Sequence, residues 1–293
     1  METIFIEHAN SKSQLKKNKP CVLALGFFDG VHLGHQKLIQ TAKKIAEEKD
    51  ATLAVMTFYP HPRQIVNKKK APVKYLTPLH IKQEILRNMG VERLYVIKFD
   101  SDFALLSPDE FVNQYILQLG CIHVVTGFDY TYGYKGLGNT ETLLQSGKDR
   151  FGVTVVNKIS YNKEKISSTL IRELVQQGHL EQLPKYLGTY YKVYGIIYRS
   201  LLLNDGRQEL IVKIDNDVLL PKDDHYQIQF TCNNLFYHGT IEKIIRGDNY
   251  SLLIVYIYED FNLSVGNAVS IKWMKALGEE NDILVKKENV FVG

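Results

Sequence analysis

Five short runs in the first half of the chain are almost wholly apolar: CVLALGFF (21–28), ATLAVMTF (51–58), RLYVIKF (93–99), CIHVVTGF (121–128) and VTVVNK (153–158). Rich in Val, Ile and Leu and bounded by turn residues, they predict strands buried on both faces. The stretches between them have helical spacing. Residues 35–48 place Leu38, Ile39, Ala42, Ile45 and Ala46 on one face. Thr77-Pro78, a cap residue followed by Pro at the first helical position, predicts a helix over 78–89. Ser107-Pro108-Asp109-Glu110 reads as a capping box opening a helix over 108–119. Strands without polar alternation, separated by helices, predict a doubly wound α/β fold with a parallel sheet. In such sheets ligands sit at the carboxyl ends of the strands.

The pattern changes after Gly188. KVYGIIYR (192–199), ELIVKID (209–215), HYQIQFTC (225–232), LFYHGTIEKII (235–245), YSLLIVYIY (250–258) and AVSIKWM (268–274) follow one another with only turns between them. Strands every ~8–12 residues without helices predict a small antiparallel barrel or sandwich. The boundary falls near Leu187–Tyr190, giving expected domains of 1–188 and 189–293.

The chain has 293 residues, 45% hydrophobic and 23% charged, which fits two globular domains and argues against disorder or coiled coil. No apolar run approaches the ~20 residues of a membrane span, and the first twenty residues lack a signal-peptide core. Three cysteines, Cys21, Cys121 and Cys232, suit neither a disulfide framework nor a zinc site and read as buried thiols. A cytoplasmic protein is expected. Residues 1–188 hold 25 Lys/Arg against 18 Asp/Glu, and residues 189–293 hold 11 against 14. The basic first half suits a polyanionic ligand or is simply a solvated surface. Lys68-Lys69-Lys70 is too short to argue nucleic acid, and no nucleic-acid partner is expected.

The densest chemistry lies where the first long strand gives way to a helix: Gly26-Phe27-Phe28-Asp29-Gly30-Val31-His32-Leu33-Gly34-His35. Neither a dinucleotide fingerprint nor a P-loop is present. Its glycines let backbone approach a ligand closely, and the following helix turns its positive end toward an anion. His32 and His35, three apart, can face the same phosphate. Asp29 can order the loop or help hold Mg²⁺. A structural turn or a His/His/Asp metal site are the competing readings, and a catalytic zinc would want a third strong ligand nearby. Thr57-Phe58-Tyr59-Pro60-His61-Pro62-Arg63 forms a stiff loop after the second strand. Gly127-Phe128-Asp129-Tyr130-Thr131-Tyr132-Gly133 offers aromatics that stack on flat rings or fill a core. Ile166-Ser167-Ser168-Thr169-Leu170-Ile171-Arg172 opens a helix with hydroxyls and an arginine that can grip a polyphosphate, or merely cap the helix.

Together these runs resemble the prokaryotic FAD synthetase family, FMN adenylyltransferases of the HxGH nucleotidylyltransferase superfamily. GFFDGVHLGHQKLI, TFYPHPR, GFDYTYG and ISSTLIREL are similar to the family's four motifs, over residues ~15–188. The resemblance implies an HxGH-type domain making FAD and pyrophosphate from FMN and ATP with Mg²⁺. His32 and His35 would contact ATP phosphates. Gly26, Phe27, Asp29 and Gly34 would shape the ATP pocket, and Asp129 would lie near the nucleotides. Pro60 and Pro62 would belong to a mobile loop near FMN, and Ser167, Ser168, Thr169 and Arg172 would hold the triphosphate. Tyr134 stands where the family usually has a basic residue.

The family's second domain is a riboflavin kinase barrel. Here its Gly-x-Pro-Thr-Ala-Asn run is missing between Gly195 and Ile214, and Val255 falls where its glutamate base would stand, counting back from Asp260-Phe261. The expectation is a FAD synthetase with a barrel that lacks kinase activity. The alternatives are a bifunctional kinase and synthetase, with Glu259 or Asp260 brought into place by a gap, and a flavin-responsive regulatory protein. A cytidylyltransferase of the same superfamily is disfavoured by the TFYPHPR and ISSTLIR runs.

Overall fold

A computed structural model describes residues 1–7, 19–66, 72–258 and 263–278. The Lys68-Lys69-Lys70 run and Glu259, Asp260 and Phe261 lie outside the described residues. The chain forms two compact units, Met1–Val73 with Thr77–Ile166, and Lys74–Leu76 with Ser167–Gly293.

The first unit is built on a six-stranded sheet. Its strands are β1 (Glu2–Ile6), β2 (Cys21–Leu25), β3 (Thr52–Tyr59), β4 (Arg93–Lys98), β5 (Cys121–Gly127) and β6 (Gly152–Val156), in the order β1-β4-β3-β2-β5-β6. Every pairing is parallel. The absence of polar alternation has its cause in β2, where successive side chains enter different cores. Cys21, Leu23 and Leu25 join a cluster with Phe111, Val112 and Ile116. Val22 and Ala24 join another with Leu38, Ile39 and Ala42 of the helix Leu33–Glu48. The strand order reverses at β2, whose neighbours are β3 on one side and β5 on the other, and a crevice at such a switch point is where ligands bind.

The five expected strands are present, and β1 is a sixth. Its ETIFI sequence is edge-like and only partly buried, so no apolar run marked it. The helix expected over 78–89 spans Leu79–Asn88, but Pro78 is its N-cap without a side-chain cap bond. Thr77 is engaged elsewhere, as shown below. The Ser107–Glu110 capping box forms, and the helix it opens continues from Val112 to Leu117 as a π-helix. A small hairpin, β7 (Ser160–Tyr161) with β8 (Glu164–Lys165), precedes the end of the unit. All three cysteines are reduced and buried. No helix among the described residues is long and apolar enough to cross a membrane.

In the second unit β9 (Tyr191–Leu202), β10 (Gln208–Asp215), β11 (His225–Cys232), β12 (Leu235–Arg246), β13 (Tyr250–Ile257) and β14 (Ala268–Leu277) close into an antiparallel barrel ordered β10-β13-β12-β11-β14-β9. Of the two antiparallel architectures expected, the closed barrel is the one found. The helix Ser168–Gln177 buries Ile171, Leu174 and Val175 and packs in this unit. The division in packing therefore precedes the Gly188 at which the sequence pattern changes. Tyr75 also belongs here. Its N–H donates to the Asp217 carbonyl at 2.5 Å and its carbonyl accepts from Leu219 N–H at 2.8 Å.

The sole tryptophan, Trp273, is fully buried in the barrel and meets Tyr226 edge-on at 5.1 Å. Its fluorescence therefore reports on the barrel alone. Phe230 is also fully buried, so Phe230→Ala should cost ~3–5 kcal/mol. With a urea m-value of ~1–3 kcal/mol/M, the midpoint of the tryptophan red shift should fall by ~1 M or more. A fall below ~0.5 M would show that the barrel core does not rest on this ring.

Candidate active site

The segment between β2 and the helix Leu33–Glu48 carries most of the expected site. Three of its residues have left-handed backbone, Phe28 (φ 55°), Gly30 (φ 83°) and Val31 (φ 39°). Gly30 accepts that conformation freely, whereas Phe28 and Val31 hold it against a steric cost. Gly26 leaves room for the Phe28 ring, which a Cβ there would meet at 2.9 Å. Gly34 does the same for His32, whose ring atoms lie 3.1 Å from where its Cβ would be.

His32 is the N-cap, and its Nδ1 accepts the His35 N–H at 3.3 Å. The two imidazoles stack, with centroids 3.6 Å apart and planes 15° from parallel. Phe28 closes on His35 edge-first at 5.2 Å. This enclosure settles protonation. Desolvation pushes the His32 pKa down to about 4. Burial, helped by the Lys82 charge and by repulsion that any proton on His32 would add, holds His35 well below the usual imidazole range. Both rings are neutral at pH 7, and a neutral imidazole can donate one N–H to a phosphoryl oxygen. His35 Nδ1 has no hydrogen-bond partner among the described residues.

Asp29, only 2% exposed, orders the loop. Its Oδ1 accepts the Thr77 N–H at 2.9 Å, and Thr77 Oγ1 accepts the Gly30 N–H at 3.0 Å. The threonine expected to cap a helix thus latches the motif loop instead. The Phe27 carbonyl accepts from Thr57 Oγ1 at 2.8 Å and from Lys82 Nζ at 2.7 Å. The Phe27 ring meets His61 at 4.3 Å. Pro60 follows a cis peptide bond and Pro62 begins the short helix Pro62–Val66. The sequence marks Thr77 only as a helix cap and does not mark Lys82. Thr77 lies in the bend just before the helix Leu79–Asn88 and Lys82 on that helix, and their contacts form only when β3 and this segment close on the loop.

Beside the loop lies a cavity of about 660 Å³, lined by Gly26, Phe27, His35 and Pro62 on one side and by the Gly127–Gly133 turn on the other. Phe58, Phe99, Phe103 and Phe111 form an aromatic wall. Tyr130 also lines it, and its hydroxyl has no partner among the described residues. Burial pushes the Tyr130 pKa above the usual phenol value. Asp129 is exposed and paired with Lys165 Nζ at 2.5 Å, and that ammonium lies 4.8 Å from the Phe128 ring centre. Tyr134 does not line the cavity, but the next residue, Lys135, does.

The remaining candidates lie in the second unit. Ser167 caps its helix by accepting the Leu170 N–H at 3.3 Å. Ser168 is partly buried and Thr169 exposed, both in the first turn. Arg172 Nη1 donates to the Lys74 carbonyl at 2.6 Å.

The depressed His32 pKa carries a stability consequence. Between about 4 and the ordinary value of 6.5 the unfolded chain binds a proton on His32 that the folded chain does not. Stability therefore falls as pH drops through that window. Thermal melts from pH 7 to 4 should show this fall, and His32→Asn, which keeps a cap acceptor, should make it shallower. Identical slopes in both proteins would mean that the His32 ring is accessible to water.

Residues 14–170 match the family described as FAD synthetase. A Bacillus subtilis (strain 168) protein named bifunctional riboflavin kinase/FMN adenylyltransferase is 39% identical, over 96% of this chain and 91% of its own length. A Listeria monocytogenes protein named FAD synthetase is 32% identical, over 78% of this chain and 88% of its own. A Streptococcus pneumoniae crystal structure described as a macrolide-efflux protein shares the fold at TM-score 0.79 and 26% identity, covering 94% of this chain and 100% of that one. The match over residues 14–170 spans the histidine pair, the Asp29 latch and the aromatic cavity, and with identity sustained along nearly the whole chain it shows that the chain belongs to the FAD synthetase family.

Proposed function

We propose that residues 1–188 act as an FMN adenylyltransferase, joining FMN to ATP to give FAD and pyrophosphate in the cytoplasm. The observation that carries this reading is the neutral histidine pair beside an aromatic cavity. A volume of about 660 Å³ suits a cofactor-sized ligand, and the phenylalanine wall suits a flat ring system. The nucleophile is the FMN phosphate, whose second pKa lies near ~6, so it is already largely dianionic at neutral pH. It needs no general base. One of its oxygens attacks the α-phosphorus of ATP, the new P–O bond forms in line with the one that breaks, and pyrophosphate leaves. Catalysis is then positioning and charge stabilisation. His32 and His35 are the donors to phosphoryl oxygens. Ser167, Ser168, Thr169 and Arg172 are assigned to the triphosphate, with Lys135 as a further cation at the cavity.

Mg²⁺ takes oxygen ligands and is commonly held by one or two carboxylates together with substrate phosphates. The donors fit that mode. Asp129 is an exposed carboxylate at the cavity, its Oδ2 paired with Lys165, a pairing that a bound cation would replace, whereas the buried Asp29 is committed to the Thr77 N–H. The ion would neutralise charge on the phosphates, and Asp129 is the side chain proposed to hold it.

For the barrel, residues 189–293, the reading is that riboflavin kinase chemistry is absent. A ribityl hydroxyl is neutral at pH 7 and needs a base. Val255 is fully buried in β13, registered between Leu210 of β10 and Ile241 of β12, so the expected glutamate position is part of the barrel's apolar core. The bifunctional relative from Bacillus subtilis supports the competing reading, and the FAD synthetase relative supports this one.

Chromatography of flavins after incubation with ATP and Mg²⁺ separates the two. FMN should be converted to FAD, and riboflavin to neither FMN nor FAD. No FAD from FMN, oxidised or reduced, would overturn the main reading; steady FMN from riboflavin would restore the bifunctional one. His35→Ala should lower kcat ~10²–10³-fold with a smaller effect on ATP binding, because charge on the phosphates grows toward the transition state. Near-normal kcat with weakened ATP affinity would make His35 a ground-state ligand.

A further inference from the structure

We propose that Lys82 is a positioning residue for the transfer reaction, its ammonium pinning the Phe27–Phe28 peptide so that the loop presents His35 to phosphate. The proposal rests on the adenylyltransferase reading above.

Lys82 lies on the helix Leu79–Asn88 and is only 2% exposed. Its Nζ donates to the Phe27 carbonyl at 2.7 Å and to Thr57 Oγ1 at 3.2 Å, and stands 4.4 Å from the centre of the Phe27 ring. Thr57 donates to the same carbonyl at 2.8 Å. A buried ammonium is costly, and a methionine would fill a similar space without that cost. What the lysine supplies is a charged donor aimed at one backbone oxygen of the motif loop. Charge-assisted hydrogen bonds of this kind are the strong ones.

That oxygen is well chosen. The peptide unit it belongs to leads into Phe28, which holds φ at 55°. Fixing the Phe27 carbonyl fixes the plane of the peptide and the direction from which the chain enters Phe28. Phe28 in turn closes on His35 at 5.2 Å, and His35 stacks on His32. The same ammonium reaches the second motif loop, because Thr57 lies in β3 and the Phe27 ring against which the ammonium stands also meets His61. Lys82 thus ties β3, the β2 loop and its own helix together at one point.

Its charge also reaches the chemistry. The titratable groups that face it are the Asp29 carboxylate on the loop and the His35 imidazole on the helix Leu33–Glu48. The positive charge helps keep His35 deprotonated, and burial lowers the pKa of Lys82 itself to about 8, against the pull of Asp29. The clamp is charged at pH 7 and loses its charge as pH rises through about 8. Activity that depends on it is present below that pH and lost above it. Arginine, always protonated, would keep the charge.

The test compares full-length wild type, Lys82→Met and Lys82→Arg in FAD formation from FMN, ATP and Mg²⁺ between pH 6 and 10. At pH 7 Lys82→Met should lower kcat ~10–100-fold, the worth of one charged hydrogen bond, with KM for ATP changed less than ~3-fold. Lys82→Arg should recover part of kcat and lose the alkaline limb near about 8. Wild-type kcat and an unshifted alkaline limb in Lys82→Met would overturn the proposal. Histidine-ring ¹⁵N spectra give a readout without turnover. The His35 signals should shift in Lys82→Met, and unchanged signals would overturn the proposal even if wild type made no FAD, a result that would by itself count only against the FMN reading. Should Lys82→Met fail to fold, the Lys82→Arg profile decides, since retention of the wild-type limb in that variant also overturns the clamp.

Discussion

An imidazole shielded from water gives up its proton, and the stacked pair after β2 is shielded by Phe28 on one side and by the helix cap it forms on the other. The neutrality of His32 and His35 is the condition on which the rest of the site turns. A protonated pair stacked at 3.6 Å would repel itself. A neutral pair can stack, point its N–H groups at a polyanion and lose little to competing water. The small residues and tight turns of the Gly26–His35 run are what make that shielding sterically possible.

Maintaining such a loop is expensive. Two bulky residues hold left-handed backbone, a carboxylate is buried at Asp29 and an ammonium at Lys82. None of these would be kept for stability alone. They are offset by the sheet beneath, where β2 is buried along its whole length and feeds two separate cores. A rigid apolar platform carries a strained polar loop, and the strain is concentrated where phosphate chemistry needs fixed donors.

Much of this was legible in the residues. Continuous apolar runs marked the parallel strands because both faces are covered, and turn spacing marked the barrel because its strands are joined directly. The motif loop was legible because its glycines, histidines and aspartate are contiguous. What escaped the sequence was whatever depended on a partner distant along the chain. Thr77 looked like a cap, since a threonine before proline usually is one, yet it is spent on Asp29 and Gly30. Lys82 carries no signal of its own, because nothing local to it says that Phe27 and Thr57 close over it. The phenylalanine wall is drawn from β3, from the end of β4 and from two helices, and no single window contains it. β1 is a five-residue edge strand in which only Ile6 is buried, and its short Ile4-Phe5-Ile6 run is too brief to stand out.

The short excursion at Lys74–Leu76 has a bearing on how such proteins are inherited and rebuilt. Tyr75 forms an isolated bridge opposite Val218 through its two hydrogen bonds to Asp217 and Leu219, and the Lys74 carbonyl receives Arg172, so the second unit takes three residues from the middle of the sequence that otherwise folds into the first. Neither unit is a contiguous cassette. A gene fragment ending at Gly188 would carry Tyr75 without its bridge partner, and one starting there would leave the Asp217 carbonyl and Leu219 N–H without theirs. Fusion, permutation or exchange of the barrel between relatives must therefore move a tripeptide and a domain together, a constraint that would tend to keep the two units on one chain even where the chemistry of one had lapsed.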